Sequence, residues 1–204
     1  MLGWRGLAGA LGLAAVIASS ALAQEPDPDR AARLMDDLMW GRGHVGGPFT
    51  LIDHTGKQRT DADFRGKLLI VYFGYTTCPD ICPTELMQIG LAVDKLGAAG
   101  DEVQPLFISV DPERDTPAVL APYVAQFHPR LIGLTGTPQQ IRSVADSYKA
   151  YYAKYTPPDG AIYLIDHTGF VYLVGRDGQY AGFFPPGTTA DRMIEIIRPL
   201  LAKH

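Results

Sequence analysis

The chain has 204 residues, of which 47% are hydrophobic, and its formal net charge is −4 at pH 7. This length and composition suit one globular domain with a core of ordinary size. The lysines and arginines form no cluster, so the sequence argues against nucleic-acid binding and against a basic membrane-surface patch.

The chain begins with an apolar segment. A lone Arg5 precedes an apolar run from Gly6 to Leu22, which ends in the small-x-small triplet Ala21-Leu22-Ala23. This pattern is typical of a signal peptide that is cleaved after Ala23. An uncleaved membrane anchor is the alternative, because the run approaches the length needed to cross a bilayer. Under either interpretation residues 1–23 predict an exported domain, periplasmic or facing the periplasm at the inner membrane.

The next stretch, residues 24–46, is polar and is predicted to be a stalk or linker. It contains one short amphipathic segment, Arg30–Trp40, and leads into the glycine-rich exit Gly41–Gly47. The globular domain is therefore predicted to span residues 47–204.

The domain is predicted to begin with a β-hairpin, in which strand Pro48–Asp53 is followed by a DHTG turn and the polar strand Lys57–Thr60. The run LLIVYFGY, Leu68–Tyr75, is apolar, β-branched and aromatic throughout, which predicts a strand buried on both faces. Helices and strands then alternate. The further predicted elements are helix Pro83–Gly97, strand Val103–Val110, a helix with Thr116 as its N-cap, strand Leu131–Gly136, helix Pro138–Tyr155, a hairpin within residues 170–184 around Asp177-Gly178, and helix Thr189–Lys203.

This alternation implies parallel strand pairing with right-handed crossovers. A final antiparallel hairpin added to such a sheet is the thioredoxin plan. The predicted fold is therefore α/β and thioredoxin-like, with a central mixed sheet flanked by helices and an extra N-terminal β-hairpin.

The two cysteines, Cys78 and Cys82, lie within YTTCPDICPTEL, where the buried strand leads into a helix. A disulfide that closes so short a loop restricts the unfolded chain little, so reactive or metal-binding thiols are the better interpretation. The free N–H groups and dipole of the helix N-terminus favour a thiolate. The C-x-x-x-C spacing is wider than the C-x-x-C usual in dithiol oxidoreductases and suits two ligands on one ion, although disulfide exchange stays open.

Two thiolates leave most metal sites incomplete, which predicts a third ligand. Structural zinc usually takes four protein ligands, whereas Cu(I) is satisfied by two or three thiolates or imidazoles. The hexapeptide LIDHTG occurs twice, so His54 and His167 share one local sequence. In thioredoxin topology the loop Tyr163–Gly169 packs against the cysteine turn, and His167 is therefore the predicted ligand. The histidines placed elsewhere are His44 in the glycine-rich exit, His128 at a helix end and His204 at the C-terminus.

Three motifs occur in a fixed order: VYFGYTTCPDICPTEL, then SVDPERDTP (Ser109–Pro117), then a late DHTG before FVYLVGRDG. Together they resemble the Sco/SenC family, thioredoxin-fold proteins that bind copper and help to assemble the copper sites of respiratory cytochrome c oxidase. The resemblance covers roughly Gly46 to the C-terminus.

The resemblance implies that Cys78, Cys82 and His167 are copper ligands and that Asp80, between the cysteines, tunes the site. The sequence departs from the family at Thr77, where many members carry a histidine, and this bears on an auxiliary role of that position. The motif SVDPERDTP has two interpretations, a capped loop leading into a helix or a partner-docking segment.

The resulting prediction is a copper metallochaperone that carries Cu(I) or Cu(II) to the copper-containing subunit of cytochrome c oxidase. Other copper chaperones or thiol reductants are its further predicted partners. The alternative is a thiol–disulfide oxidoreductase with Cys78 and Cys82 as the catalytic pair, which keeps the copper-binding cysteines of the oxidase reduced. A peroxiredoxin is disfavoured, because Val71 and Tyr75 stand at the Pro and Thr places of P-x-x-x-T-x-x-C. A copper or redox sensor leaves no separate mark in a sequence.

Overall fold

A computed structural model describes residues 28–40, 44–158 and 162–202. The predicted signal peptide or anchor, residues 1–23, lies outside the described residues. Across the described ranges, no helix has both the length and the apolar character that a membrane span requires.

The described residues form helices and strands that alternate along most of the chain. In order they are α1 (Pro28–Met39), β1 (Thr50–Asp53), β2 (Gln58–Thr60), β3 (Leu68–Gly74), α2 (Ile81–Lys95), β4 (Val103–Ser109), α3 (Pro117–Val124), β5 (Ile132–Thr135), α4 (Pro138–Ser147), β6 (Tyr152–Tyr155), β7 (Leu164–His167), β8 (Val171–Val174), β9 (Tyr180–Phe184) and α5 (Ala190–Leu201). Two 3-10 helices, Asp61–Phe64 and Gly97–Glu102, complete the set.

The main sheet has seven strands in the order β2-β1-β5-β4-β3-β8-β9. Strands β3, β4 and β5 run parallel, whereas β1 and β8 join them antiparallel. Every residue of β3 is buried, as expected for a central strand covered on both faces. The sheet and its flanking helices confirm the predicted mixed, thioredoxin-like fold, and the β1–β2 pair is the predicted N-terminal hairpin.

The core also takes in part of the segment before the domain. Leu38 of α1 and Val45 are each 4% exposed and belong to the same apolar cluster as the central strands. The predicted stalk at residues 24–46 therefore contributes side chains to the core. The boundary at residue 47 stays a prediction.

The prediction of a helix through Tyr155 is wrong, because α4 ends at Ser147. Lys149 adopts a positive φ of 58°, the left-handed conformation that closes many helices. The N–H of Ala150 donates to the carbonyl of Ala145 at 2.8 Å, the bond that defines a Schellman motif. A lysine at this position, in place of the usual glycine, leaves no stop signal in the sequence.

The chain after α4 forms the strand β6. The segment predicted to be the loop Tyr163–Gly169 contains the strand β7. The two strands pair antiparallel, with Tyr152 opposite His167, and form a two-stranded sheet separate from the main one. We call this pair the β6–β7 ribbon. His167 is therefore the last residue of a strand rather than part of a turn.

Candidate metal centre

The two cysteines lie at the N-terminus of α2, as the sequence predicted. Cys82 is the second residue of the helix and is 0% exposed, whereas Cys78 is half-buried on the preceding turn. Both thiols are free. Asp80 is the N-cap residue of the helix, and its side chain is exposed. The structure thus presents one accessible sulfur and one enclosed sulfur.

Gly74, at the end of β3, makes room for the enclosed sulfur. A Cβ atom at this position would lie 2.7 Å from Cys82 Sγ and 2.9 Å from Cε2 of Phe107. Both distances are too short for any larger residue without movement of the site. This role of Gly74 was not predicted, although a glycine inside a buried strand is a known signal of close approach.

The β6–β7 ribbon brings His167 to the cysteines. Its Nε2 atom lies 3.4 Å from Cys82 Sγ, and the ligand atoms of Cys78, Cys82 and His167 all lie within 4.8 Å of one another. The Nδ1 atom of His167 lies 3.2 Å from the carbonyl oxygen of Thr168, which can only accept a hydrogen bond. Nδ1 therefore carries a proton, and in the neutral imidazole the Nε2 lone pair faces the sulfurs. This is the tautomer that a neutral histidine ligand needs.

The thiols differ in acidity because of the hydrogen bonds between them. The pKa of Cys78 is lowered to about 3, chiefly by the hydrogen bond that the Cys82 thiol donates to its sulfur. Hydrogen bonds from His167 and from the N–H groups of Asp80 and Cys82 lower it further, and together these bonds outweigh burial, which raises the pKa. The same Cys82–Cys78 hydrogen bond and burial raise the pKa of Cys82 above its ordinary value. At neutral pH the site holds an accessible thiolate and a buried thiol.

Two of the other histidines have structural partners. His54 Nδ1 accepts a hydrogen bond from the N–H of Gly133 at 3.2 Å. His128 is 5% exposed, and its Nδ1 accepts from the N–H of Arg130 at 3.0 Å while its Nε2 lies 3.2 Å from Asp94 Oδ1. Neither imidazole faces the cysteines.

Neither of the remaining two histidines is placed beside the cysteines by the described structure. His44 is exposed and lines a separate cavity of about 250 Å³, and His204 lies outside the described residues. Within the described part of the chain, Cys78, Cys82 and His167 form the one group of three such side chains close enough to hold a metal ion.

The accessible sulfur opens onto a largely apolar groove of about 450 Å³. One wall comes from the cysteine turn, including Pro79 and Ile81, and the other from the ribbon, including Tyr155 and Leu164. A segment of another protein can therefore reach Cys78, whereas Cys82 is enclosed by the core.

Comparison with known proteins gives a consistent result. A family model described as SCO1/SenC matches residues 39–202. Protein SCO1 homolog 1, mitochondrial, of Arabidopsis thaliana is 46% identical over 156 residues, which cover 76% of this chain and 46% of that relative. The chain thus spans about half the length of this relative.

Solved structures agree over the same region. The crystal structure of Arabidopsis thaliana ScoI with copper bound superposes with a TM-score of 0.74 at 43% identity, covering 78% of this chain and 99% of that one. BsSco, described as a member of the Sco family of cytochrome c oxidase assembly proteins with a disulfide switch, has a TM-score of 0.64 and 27% identity, covering 79% of this chain and 95% of that one.

Proposed function

Because the chain belongs to the SCO1/SenC family, we propose that it is a copper metallochaperone for cytochrome c oxidase. In this proposal Cys78, Cys82 and His167 bind one copper ion and deliver it to a copper centre of the oxidase. The observation that carries the proposal is the convergence of two sulfurs and one imidazole nitrogen within 4.8 Å. Soft donors in this small number favour Cu(I). The copper-bound ScoI and the oxidase-assembly protein BsSco, both similar to this chain, support the choice of metal and of partner.

Each donor has a separate part in loading. Cys78 is the thiolate that meets the incoming ion, since its pKa lies far below neutral. Cys82 releases its proton as it becomes the second sulfur ligand. His167 supplies the lone pair of Nε2, because its Nδ1–H donates to the Thr168 carbonyl. Asp80 tunes the site through its backbone N–H, which donates to the Cys78 sulfur.

Delivery proceeds from the groove beside Cys78. An acceptor thiolate enters along the apolar walls and replaces the half-buried Cys78 first. Cys82 is the last donor to leave, because it is 0% exposed. Three donors leave one side of the ion open, which permits such exchange where a closed four-ligand cage resists it.

We place the domain outside the cytoplasm, facing the periplasm, after residues 1–23 have directed its export or anchored it at the membrane. Its further partners there are a copper chaperone that loads the site and a thiol reductant that keeps the dithiol open. Both roles need access to Cys78, which the groove provides.

The first test is copper stoichiometry and affinity of the reduced protein, measured by competition for Cu(I) and, separately, for Cu(II). We expect one copper per chain. His167→Ala should weaken binding by at least about 10- to 100-fold, because the loss of a mere outer partner of a ligand typically has that effect. His54→Ala is the matched control and should leave affinity within about twofold, because its imidazole bonds to Gly133 instead. Reduced protein that retains no copper after desalting would refute the proposal.

A second function, thiol–disulfide exchange, is favoured by the unequal thiols. The Cys78 thiolate attacks a disulfide of the oxidase subunit, forms a mixed disulfide and releases one substrate thiolate. Cys82 then attacks Cys78, which forms the Cys78–Cys82 disulfide, releases the second thiolate and transfers two electrons to the substrate. Copper-free protein should reduce the oxidised subunit, and Cys82→Ala should trap the mixed disulfide. Absence of both products would remove this function.

A further inference from the structure

The loop of residues 109–117, which carries the motif SVDPERDTP, lies between the cysteine turn and the β6–β7 ribbon. Its Asp111 and Asp115 are both 0% exposed. Burial of a carboxylate is costly unless hydrogen bonds compensate it. The partners of these two carboxylates therefore indicate what the loop does.

Asp115 binds the cysteine turn. Its carboxylate accepts hydrogen bonds from the Thr76 N–H at 3.0 Å and from the Thr76 hydroxyl at 2.6 Å. A third bond, from the Ser109 hydroxyl at 2.6 Å, fixes the carboxylate from within the loop. Thr76 is followed at once by the turn that holds Cys78, whose N–H donates to the carbonyl of Tyr75. The position of Cys78 thus depends on Asp115 through Thr76.

Asp111 and Arg114 bind the ribbon. The Tyr163 hydroxyl donates to Asp111 at 2.9 Å, and Arg114 Nη1 donates to the Tyr163 carbonyl at 3.0 Å. The Arg114 guanidinium also pairs with Asp111 and stacks 3.7 Å from the centre of the Tyr163 ring. Tyr163 directly precedes β7, the strand that ends in His167.

The hydrogen bonds of Asp115 and those of Asp111 are connected through the Ser109 side chain. The Ser109 hydroxyl donates to Asp115 and accepts from the N–H of Asp111 at 3.0 Å. One continuous hydrogen-bond network therefore runs from Thr76 to Tyr163. The cysteine turn follows β3 of the main sheet, whereas the ribbon is a separate two-stranded sheet, and this network connects the two.

We propose that the 109–117 loop sets the distance between the cysteine turn and His167 before a metal arrives, with Asp111 and Asp115 as positioning residues. The proposal rests on the metal-binding function proposed above. It assigns to SVDPERDTP a role other than a simple helix cap or a partner-docking segment. Outer partners of this kind, once removed, typically cost 10- to 100-fold in metal affinity.

The test removes the last hydrogen-bond donor at each end of the network. Thr76→Val removes one hydroxyl donor to Asp115, and Tyr163→Phe removes the hydroxyl donor to Asp111. Thr76→Ser keeps the first donor, and Tyr180→Phe removes a hydroxyl from the edge strand β9, which lines neither the site nor the groove. We expect Thr76→Val and Tyr163→Phe each to weaken Cu(I) binding about tenfold, and both controls to stay within about twofold of wild type. The urea midpoints of Thr76→Val and Tyr163→Phe should fall modestly, because each leaves a buried carboxylate with one donor fewer, so affinities are compared where all four variants are folded.

Amide hydrogen exchange in the metal-free protein gives an independent measurement. The N–H of Ile165 in β7 donates to the Tyr75 hydroxyl, so its exchange reports how firmly the ribbon sits on the cysteine turn. Exchange should quicken in Thr76→Val and Tyr163→Phe but not in the controls. Unchanged affinity in both variants would overturn the proposal. If wild type binds no copper, the metallochaperone function fails, and unchanged exchange at Ile165 would then overturn the positioning role as well.

Discussion

The hexapeptide LIDHTG occurs twice, and each copy forms a short strand and the turn that follows it. The two copies bury alternate residues against the core. In the first copy Leu51 and Asp53 are buried, at 0% and 1% exposure. In the second copy the residue buried at 4% is Ile165, and its neighbour Leu164 is 36% exposed. A strand repeats every two residues, so a shift of one residue exchanges its faces.

The difference in burial between the two copies follows from the strands with which each copy pairs. The first copy lies in β1, between β2 and β5 of the main sheet, whereas the second lies in β7 of the two-stranded ribbon. Asp53 accepts hydrogen bonds from the Thr55 N–H, the Thr55 hydroxyl, the Lys57 N–H and Arg59 Nε. The corresponding Asp166 is exposed. Identical residues therefore build a structural turn at one place and present an imidazole to two thiols at the other.

The largest expected difference between the histidines of the two copies is in their effect on the reactivity of Cys78. Its pKa is lowered first by the Cys82 thiol and next by His167, to about 3, so wild-type alkylation should be nearly flat from pH 5 to pH 8. Cys82→Ala raises that pKa towards the ordinary value of about 8.5, and the rate should then rise about tenfold per pH unit over much of this range.

His167→Ala should raise the pKa of Cys78 less than Cys82→Ala does, and His54→Ala should not raise it. The measurement is the iodoacetamide rate as a function of pH, with modified sites identified by mass spectrometry. An equal response to the two histidine substitutions would contradict the comparison.

The two aspartates should differ in their effect on folding. Asp53→Ala removes the shared acceptor of four hydrogen bonds and should lower the free energy of unfolding by about 1–3 kcal/mol, whereas Asp166→Ala should change it by less than about 0.5 kcal/mol. Urea denaturation measures both values. A similar loss in the two variants would show that the copies are not distinguished by burial.

The Asp53 contribution also depends on pH. Burial opposes its ionisation, but hydrogen bonds from Thr55, Arg59 and Lys57 outweigh burial and hold the pKa of Asp53 well below its ordinary value. A depressed folded-state pKa adds stability above the unfolded value of about 3.9, and this stability is lost as the pH falls through the folded-state value. The difference between wild type and Asp53→Ala should therefore shrink progressively below about pH 4.

The two glycines of the hexapeptide are needed for different reasons. Gly56 has a φ of 85° and open space around it, so Gly56→Ala should cost about 1 kcal/mol through the backbone alone. At Gly169 an added Cβ would lie 2.6 Å from Ile81 Cδ1 and 3.1 Å from Pro186 Cγ. Gly169→Ala should therefore displace the Ile81 side chain beside the cysteine turn and weaken Cu(I) binding slightly. Adding Ile81→Val, which removes the Cδ1 atom, should restore part of the affinity; no restoration would argue against the clash with Ile81.

The smallest expected effect is that of the first histidine on stability. His54→Ala removes the Nδ1 acceptor of the Gly133 N–H and should cost about 1 kcal/mol. His54→Asn keeps an acceptor near the same place and should recover most of that loss. Denaturation midpoints of both variants test this, and an equally large loss in His54→Asn would assign the cost to packing instead.

The sequence predicted the elements that local patterns record. The apolar run of β3, the helix that begins beside Cys82, and the two hairpins with their glycine turns lie close to their predicted positions. The meeting of the cysteine turn with His167 was also predicted, because the order of strands and helices determines which loops share one end of the sheet.

The elements that the sequence analysis missed depend on distant partners or on uncommon local chemistry. The β6–β7 ribbon pairs Tyr152 with His167, and the helix before it ends at Lys149 without a glycine. Asp111 and Asp115 are fully buried, although aspartate is among the residues least often found inside. Their burial is compensated by segments far away in the sequence, so no local pattern marks it.

The β6–β7 ribbon is joined to the main sheet by no backbone hydrogen-bond ladder in the described residues. Its contacts with the body of the protein include the hydrogen bonds that Ile165 and the adjoining Tyr163 make with the side chains of Tyr75, Asp111 and Arg114. The place of the ribbon, and with it that of His167, is therefore set by side chains, among them Ile165 in the core, rather than by strand pairing. Substitutions in these few side chains should reposition the imidazole while every strand of the large sheet stays paired.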